Sequence, residues 1–208
     1  MSLLVVLDAD STLIQNEAIE LLAEEAGSLE HVAAVTERAM RGELDFAASL
    51  RERVATLAGL DDGVFARAGA RIVPTPGVDA LIAAVHRAGG TVGVVSGGFH
   101  ELLDPVQARL GFDRWRANRL EVVDGHLTGT VRGDIVDAET KAEMLRQWAL
   151  ETGATRTVAI GDGANDLRMM AQADLGIAFC AKPIVRAQAD VAINEPNLAE
   201  AIAVLGLD

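Results

Sequence analysis

The chain has no tyrosine, and aromatic residues make up only 3% of its 208 positions. Its formal charge is −13. A protein that grips nucleic acid needs basic patches and profits from aromatic stacking platforms, so a nucleic-acid partner is not expected, and the same charge opposes binding to anionic membranes. One cysteine, Cys180, rules out an intrachain disulfide, which fits a reducing compartment. No basic segment opens the chain, since the first Lys or Arg is Arg38, and the apolar run 3–7 is too short for a secretory signal core. No stretch approaches the roughly 18 apolar residues of a membrane span. His31, His86, His100 and His126 are scattered without metal-ligand spacing, which excludes a zinc site by pattern. The expectation is a cytoplasmic protein with no nucleic-acid and no membrane partner; composition says nothing of oligomeric state.

What is present is a large apolar fraction, half of all residues, arranged in two rhythms. Short runs rich in Val, Leu and Ile at 3–7, 91–95, 157–160, 175–178 and 191–193 read as buried strands. Helical periodicity fills 77–88, 99–110, 138–152, 165–172, 184–188 and 198–205. Continuous apolar strands alternating with amphipathic helices predict an α/β fold: a parallel sheet covered on both faces. Glycines at 27, 89, 111 and 153 stand where helix ends need a left-handed cap.

Two stretches depart from the alternation. Between about 16 and 72 only helical periodicity appears, at 17–26, 29–40, 45–58 and 62–70. This predicts a four-helix bundle inserted after the first strand as a cap, dividing the chain into a catalytic core of 1–15 and 73–208 and a cap of 16–72. Asp124-Gly125 between the alternating runs 119–123 and 126–131 predicts a β-hairpin.

Three segments each follow a strand and run into a helix: Asp8-Ala9-Asp10-Ser11-Thr12, Val95-Ser96-Gly97-Gly98, and Gly161-Asp162-Gly163-Ala164-Asn165-Asp166. In an open parallel sheet, loops at the carboxyl ends of strands converge on one crevice. Asp8 and Asp10, two apart at a strand end, can face one substrate. One carboxylate serves as a nucleophile that splits a difficult hydrolysis in two, and the other as acid and then base. Ser96, Gly97 and Gly98 offer a hydroxyl and unhindered amides to phosphate oxygens. Asp162 suits a Mg2+ ion, which prefers oxygen ligands, and Asp166 suits a water bound to it. Lys141, in the first turn of a helix, supplies a neutralising charge. Singly, each has an ordinary reading: a capping Asp, a glycine turn, a solvated lysine. Together they describe Mg2+-assisted phosphoryl transfer through an aspartyl-phosphate. The GxGxxG dinucleotide pattern fails at Asp166. Met169 and Met170 read as core filler, Cys180 as a small buried hydrophobe, and Asp61-Asp62 as a helix start.

These motifs resemble those of the haloacid-dehalogenase-like hydrolase superfamily, and within it the branch that hydrolyses phosphoserine, over nearly the whole length. The likeness extends through Leu167-Arg168-Met169-Met170 and Ala178-Phe179-Cys180-Ala181-Lys182-Pro183. It implies a Rossmann-like core with an inserted helical cap. Asp8 would be the nucleophile and Asp10 the general acid/base. Mg2+ would be held by the Asp8 carboxylate, the Asp10 main-chain carbonyl and Asp162. Ser96, Gly97 and Lys141 would grip the phosphoryl group, with Asn165 orienting it. In the cap, Glu17 would meet the substrate ammonium and Arg53 its carboxylate, while Met40 and Phe46 form an apolar lid. The implied partner is a small phosphorylated amino acid. A related phosphatase or phosphotransferase acting on another small phosphorylated metabolite, or a silent phosphometabolite-binding protein, shares the core motifs.

Overall fold

A computed structural model of the chain describes residues 2–207. Positions 1 and 208, the outer limits of the expected core, lie outside the described residues. The strands are β1 (Leu3–Leu7), β2 (Thr91–Phe99), β3 (Arg114–Val123), β4 (His126–Arg132), β5 (Arg156–Gly161), β6 (Leu175–Phe179) and β7 (Val191–Ile193). They form one sheet in the order β4-β3-β2-β1-β5-β6-β7. Every neighbouring pair is parallel except β3 and β4, which form the hairpin.

The helices follow the apolar periodicity. α1 (Ala18–Ala26), α2 (Leu29–Met40), α3 (Phe46–Ala55), α4 (Val64–Gly69) and α5 (Val78–Arg87) all lie between β1 and β2. Then come α6 (His100–Leu110), α7 (Ala138–Thr152), α8 (Leu167–Met170), α9 (Pro183–Arg186) and α10 (Glu200–Leu205). None of the described helices is long and apolar enough to cross a membrane.

β1 shows how the sheet is sandwiched. All five residues are buried, but their alternation splits them between two cores. Leu3, Val5 and Leu7 join the larger cluster with α1, α5, α6 and α10, whereas Leu4 and Val6 face Leu145 and Trp148 of α7. Packing on the α7 side is close enough to dictate a glycine. A Cβ on Gly93 of β2 would sit 2.7 Å from Trp148 Cε3.

Several elements differ from the sequence expectation. β2 continues to Phe99, through the segment expected to turn directly into a helix, with its pairing to β3 interrupted between Val95 and Phe99. β3 begins at Arg114, and its first half pairs parallel with β2; its charged residues hide it from an apolar-run search. Asp61 does not start a helix. It bridges to His126 through the backbone and pairs with Arg67, and α4 opens only at Val64. Residues 165–172 hold a short 3-10 turn, Ala164–Asp166, followed by α8. Cys180 is exposed rather than buried, because β6 ends at Phe179 and the chain turns there with φ 45°. Met169 and Met170 are core residues as expected.

Gly93→Ala should lower stability by roughly 1–3 kcal/mol through overpacking against the indole, read as a lower denaturant midpoint at unchanged m-value. Trp148→Leu in the same chain should recover part of that loss. A G93A midpoint equal to the parent's would show that the ring has room to move.

Candidate active site

β1 is flanked by β2 on one side and β5 on the other, so the chain reaches its two neighbours from opposite directions. That is the topological switch point where open α/β sheets bind ligands, beyond the carboxyl ends of their strands. The register sets the loops at one height: Leu7 pairs with both Val94 and Ile160, and Asp8 N–H donates to Ile160 O at 2.9 Å. Asp8 and Asp162, just past their strands, and Ser96, in the last stretch of β2, therefore stand at the same edge of the sheet.

After β1 the backbone makes one wide turn over Ala9–Leu13, closed by Leu13 N–H to Asp8 O and Ile14 N–H to Ala9 O. Ser11 adopts φ 56° within it. The turn aims Asp8 inward: Asp8 Oδ1 accepts from Ala9 N at 2.7 Å and lies 2.7 Å from Lys141 Nζ. No protein donor reaches its other oxygen among the described residues. Asp10 Oδ1 accepts from Ala18 N at 3.3 Å, which ties the turn to the start of α1.

Lys141 is fully buried, and this is the largest departure from its ordinary reading as a surface lysine. Its ammonium spans Asp8 and Asp166, donating to Asp166 Oδ1 at 2.7 Å. Asp166 is itself buried, and its Oδ2 accepts from Gly163 N at 3.1 Å. Both of its oxygens thus have protein partners, which makes it an anchor for Lys141 as well as a neighbour of the acidic cluster. The folded-back loop explains its glycines: a Cβ on Gly161 would meet Asp166 Cγ at 2.4 Å, and one on Gly163 would meet Asn165 Oδ1 at 2.2 Å.

Asp8, Asp162 and Asp166 each offer a carboxylate oxygen, and these atoms lie within 4.8 Å of one another. The donor set is all oxygen, and one lysine faces several carboxylates. Both facts fit a hard divalent cation. Thr12, which the sequence reading did not single out, is buried and donates its hydroxyl to Asp162 Oδ1 at 3.4 Å. Its position in the Asp-rich turn is the only signal that could have flagged it.

The electrostatics follow from packing so many acids together. Asp8 is raised well above the ordinary carboxylate range by burial and by Asp166, against the opposing pull of Lys141. Asp10 is pushed up to about 8 by withdrawal from water and by Glu17. Asp162 is pushed up to about 6 by burial and by Asp166. Burial works against the charged form of Lys141, but Asp166 and Asp8 outweigh it and hold the ammonium above its ordinary value.

The remaining expected residues stand in different surroundings. Ser96 is buried, and its Oγ accepts from Gly98 N at 2.9 Å. Phe46 lies over Gly97, where a Cβ would sit 2.9 Å from Phe46 Cζ. Glu17 accepts from Ser11 Oγ at 2.6 Å. Arg53 is half-buried in α3; burial lowers its pKa, while Glu17, Asp10 and Glu20 oppose that shift, which places the guanidinium in their field. Asn165 is half-buried beside Gly163. Met40 stands 68% exposed at the end of α2.

Comparison with known proteins gives concordant matches. The family model for haloacid dehalogenase-like hydrolases matches residues 5–171. A phosphoserine phosphatase from Streptococcus thermophilus is 53% identical over 204 residues, covering 97% of this chain and 95% of that protein. One from Streptomyces coelicolor is 54% identical over 206 residues, 98% of this chain, which spans about half (50%) of that longer relative. A solved structure of a phospho-aspartyl intermediate analogue of phosphoserine phosphatase matches with a TM-score of 0.91 at 43% identity, covering 98% of both chains.

The raised carboxyl pKa values carry a sign. A folded state with such acids holds protons that the unfolded chain has already released, so its stability falls as pH rises through the folded values. Cation-free protein should lose melting temperature between pH 6 and 8, where folded Asp10 still holds its proton while Asp162 has largely released its own, on the order of 5 °C. A divalent cation should restore the loss, and Asp10→Asn should flatten the slope. A melting temperature that climbs across this window contradicts the assignment.

Proposed function

The chain belongs to the haloacid dehalogenase-like hydrolases, and from that premise we propose how its residues divide the work of phosphoserine hydrolysis. The protein is a phosphoserine phosphatase, a phosphoric monoester hydrolase that converts O-phospho-L-serine to L-serine and inorganic phosphate through an aspartyl-phosphate. The observation that carries the residue assignment is the buried Lys141 ammonium bridging Asp8 and Asp166 beside Asp10.

Asp8 is the nucleophile. Lys141 and the Ala9 N–H share one of its oxygens, holding the carboxylate in place and favouring its charged form, and the free oxygen is left to attack phosphorus. As the new P–O bond forms, the ester P–O bond breaks, and the departing seryl oxygen takes a proton from Asp10. With a pKa of about 8 Asp10 holds that proton at neutral pH, which matches a general acid poised near its working range. In the second half, Asp10, now a carboxylate, accepts a proton from water as the water oxygen bonds to phosphorus. The Asp8–phosphorus linkage breaks, releasing phosphate and returning both residues to their starting forms.

Asp8, Asp162 and the Asp10 main-chain carbonyl would hold Mg2+. When bound, it neutralises phosphoryl oxygens and favours ionised Asp8. Ser96, Gly97 and Lys141 grip the phosphoryl oxygens, and Asn165 orients them. Segment 16–72 acts as a cap over the core of 1–15 and 73–208, carrying Glu17 for the substrate ammonium and Arg53 for its carboxylate. A guanidinium fork matches a carboxylate in geometry and charge. Phe46, already over Gly97, and Met40 supply the apolar lid. A small phosphorylated amino acid in the cytoplasm is the partner this arrangement fits.

Phosphate release from L-phosphoserine, beside phosphoethanolamine, which lacks the carboxylate, tests the assignment. Turnover should require Mg2+, and Asp8→Asn should abolish it without loss of cooperative unfolding. Arg53→Ala should cut kcat/KM for phosphoserine roughly 10- to 100-fold, the worth of a charged hydrogen-bonded pair, and phosphoethanolamine turnover far less. Equal losses on both esters would remove Arg53 from carboxylate recognition, and activity retained in D8N would remove Asp8 as nucleophile.

A further inference from the structure

Asn118 lies in the middle of β3, 1% exposed, outside the motifs around Asp8, Ser96 and Asp162. Its amide joins two elements that approach the phosphoryl group from different directions. The Nδ2 donates to Gly97 O at 2.8 Å, and the Oδ1 accepts from Val136 N at 2.8 Å. The assignment of the two ends is chemically forced, since a carbonyl only accepts and a backbone N–H only donates.

The first bond sets a peptide plane. Gly97 C=O and Gly98 N–H belong to one peptide, and among the described residues no peptide is cis. In a trans peptide these two groups point in opposite directions. Drawing the carbonyl toward Asn118 therefore turns the Gly98 N–H away from it, and that N–H donates to Ser96 Oγ at 2.9 Å. The Ser96 hydroxyl, accepting there, keeps its own proton free to donate to a phosphoryl oxygen. The interruption in β2–β3 pairing ends at Phe99, which pairs with Asn118 itself. The same residue thus re-forms the ladder with its backbone and holds the loop with its side chain.

The second bond reaches the cation. Val136 immediately precedes Asp137, the N-cap of α7, whose carboxylate accepts from Thr140 N at 2.9 Å and whose carbonyl accepts from Lys141 N at 3.0 Å. Fixing Val136 fixes the start of the helix that delivers Lys141.

We infer that Asn118 is a positioning residue for phosphoryl binding, holding the Ser96–Gly98 loop and the Lys141 helix in mutual register. Its side-chain bonds go to protein groups, Gly97 O and Val136 N–H. The inference rests on the reading of Ser96, Gly97 and Lys141 as the phosphoryl grip.

Two variants test it. Asn118→Asp is isosteric and keeps the acceptor for Val136 N–H, but sets a second acceptor against Gly97 O; Asn118→Ser removes bulk and can satisfy only one partner. For whichever variant unfolds cooperatively, inorganic phosphate titrated calorimetrically with Mg2+ should bind about tenfold or more weakly. Its kcat on phosphoserine should fall roughly 10- to 100-fold, as expected when reacting groups are displaced by a fraction of an ångström. Preference for phosphoserine over phosphoethanolamine should stay within about twofold of the parent's, since Glu17 and Arg53 are not held by Asn118. A merely structural loss would move that preference or leave phosphate binding untouched. A folded variant with phosphate affinity and kcat within about twofold of the parent overturns the inference, as does a collapse of the preference. Phosphate binding does not depend on which ester is hydrolysed. A parent that binds phosphate but spares phosphoserine would fail the functional reading alone, and Asn118 would still be judged by the titration. A parent that binds no phosphate would overturn the inference along with the grip it rests on.

Discussion

The ammonium of Lys141, buried between Asp8 and Asp166, is the interaction on which the site depends. Three distant stretches of chain end in it: the exit of β1, the first turn of α7 and the loop after β5. A charge this deep is costly unless paired, and removing one member of such a group typically costs about 3–5 kcal/mol because its partner is left buried and uncompensated. The pairing therefore does two things at once. It pins α7 and the β5 loop to the catalytic edge of the sheet, and it holds a positive charge where a transferring phosphoryl group would carry its negative charge.

The balance around that ammonium is deliberately short of positive charge. Asp8 and Asp166 already exceed it, and Asp10 and Asp162 stand nearby with pKa values pushed up to about 8 and about 6. Without a further cation the acids keep protons, the state suited to the proton-donor role proposed for Asp10 but not to the nucleophile role proposed for Asp8. One residue wants its proton and its neighbour two positions away must lose it. Their surroundings overlap: after burial the strongest influence on Asp8 is the like charge of Asp166, opposed by Lys141, and the strongest on Asp10 is the like charge of Glu17. The ammonium touches Asp8 at 2.7 Å, and that contact favours Asp8 as the one to ionise.

Much of this was legible because it is encoded locally. Strand, tight turn and helix succeed one another within a few residues at Asp8, Ser96 and Asp162, and apolar periodicity reports each piece. What escaped the sequence is what arises only from packing. Lys141 is one of two lysines in the chain, yet nothing in its helix marks it as buried; its partners are 133 and 25 residues away. Asn118 sits among arginines in a strand whose first half lacks an apolar run, so neither β3 nor the polar link it makes is visible in the pattern. Cys180 looked like core because its neighbours are, but a left-handed turn at the end of β6 carries it outward. Helix ends depart furthest from the apolar periodicity where short turns compete, as at 55–64 and 164–170.

The helical segment from α1 to α4 is held to the rest of the molecule at several places, two of them of different character. At its start, Ala18 N–H binds Asp10 and Ser11 binds Glu17, so the residue proposed to read the ammonium moves with the catalytic turn. Near its end, Gly59 N–H donates to Leu127 O, Leu127 N–H to Leu60 O, and Asp62 N–H to Gly125 O, stitching the α3–α4 connection to the β3–β4 hairpin. Gly129 makes room there, since a Cβ would lie 2.9 Å from Ala58 Cβ. The hairpin, which contributes nothing to the carboxylate cluster, thereby acquires a purpose: it is the buttress for the helix that carries Arg53. In the proposed division of labour, chemistry rests on β1, β2 and β5 and amino-acid recognition on β4, separate supports of one sheet. The turn from Asp10 to Ala18 belongs to both, and Phe46 over Gly97 joins them a second time.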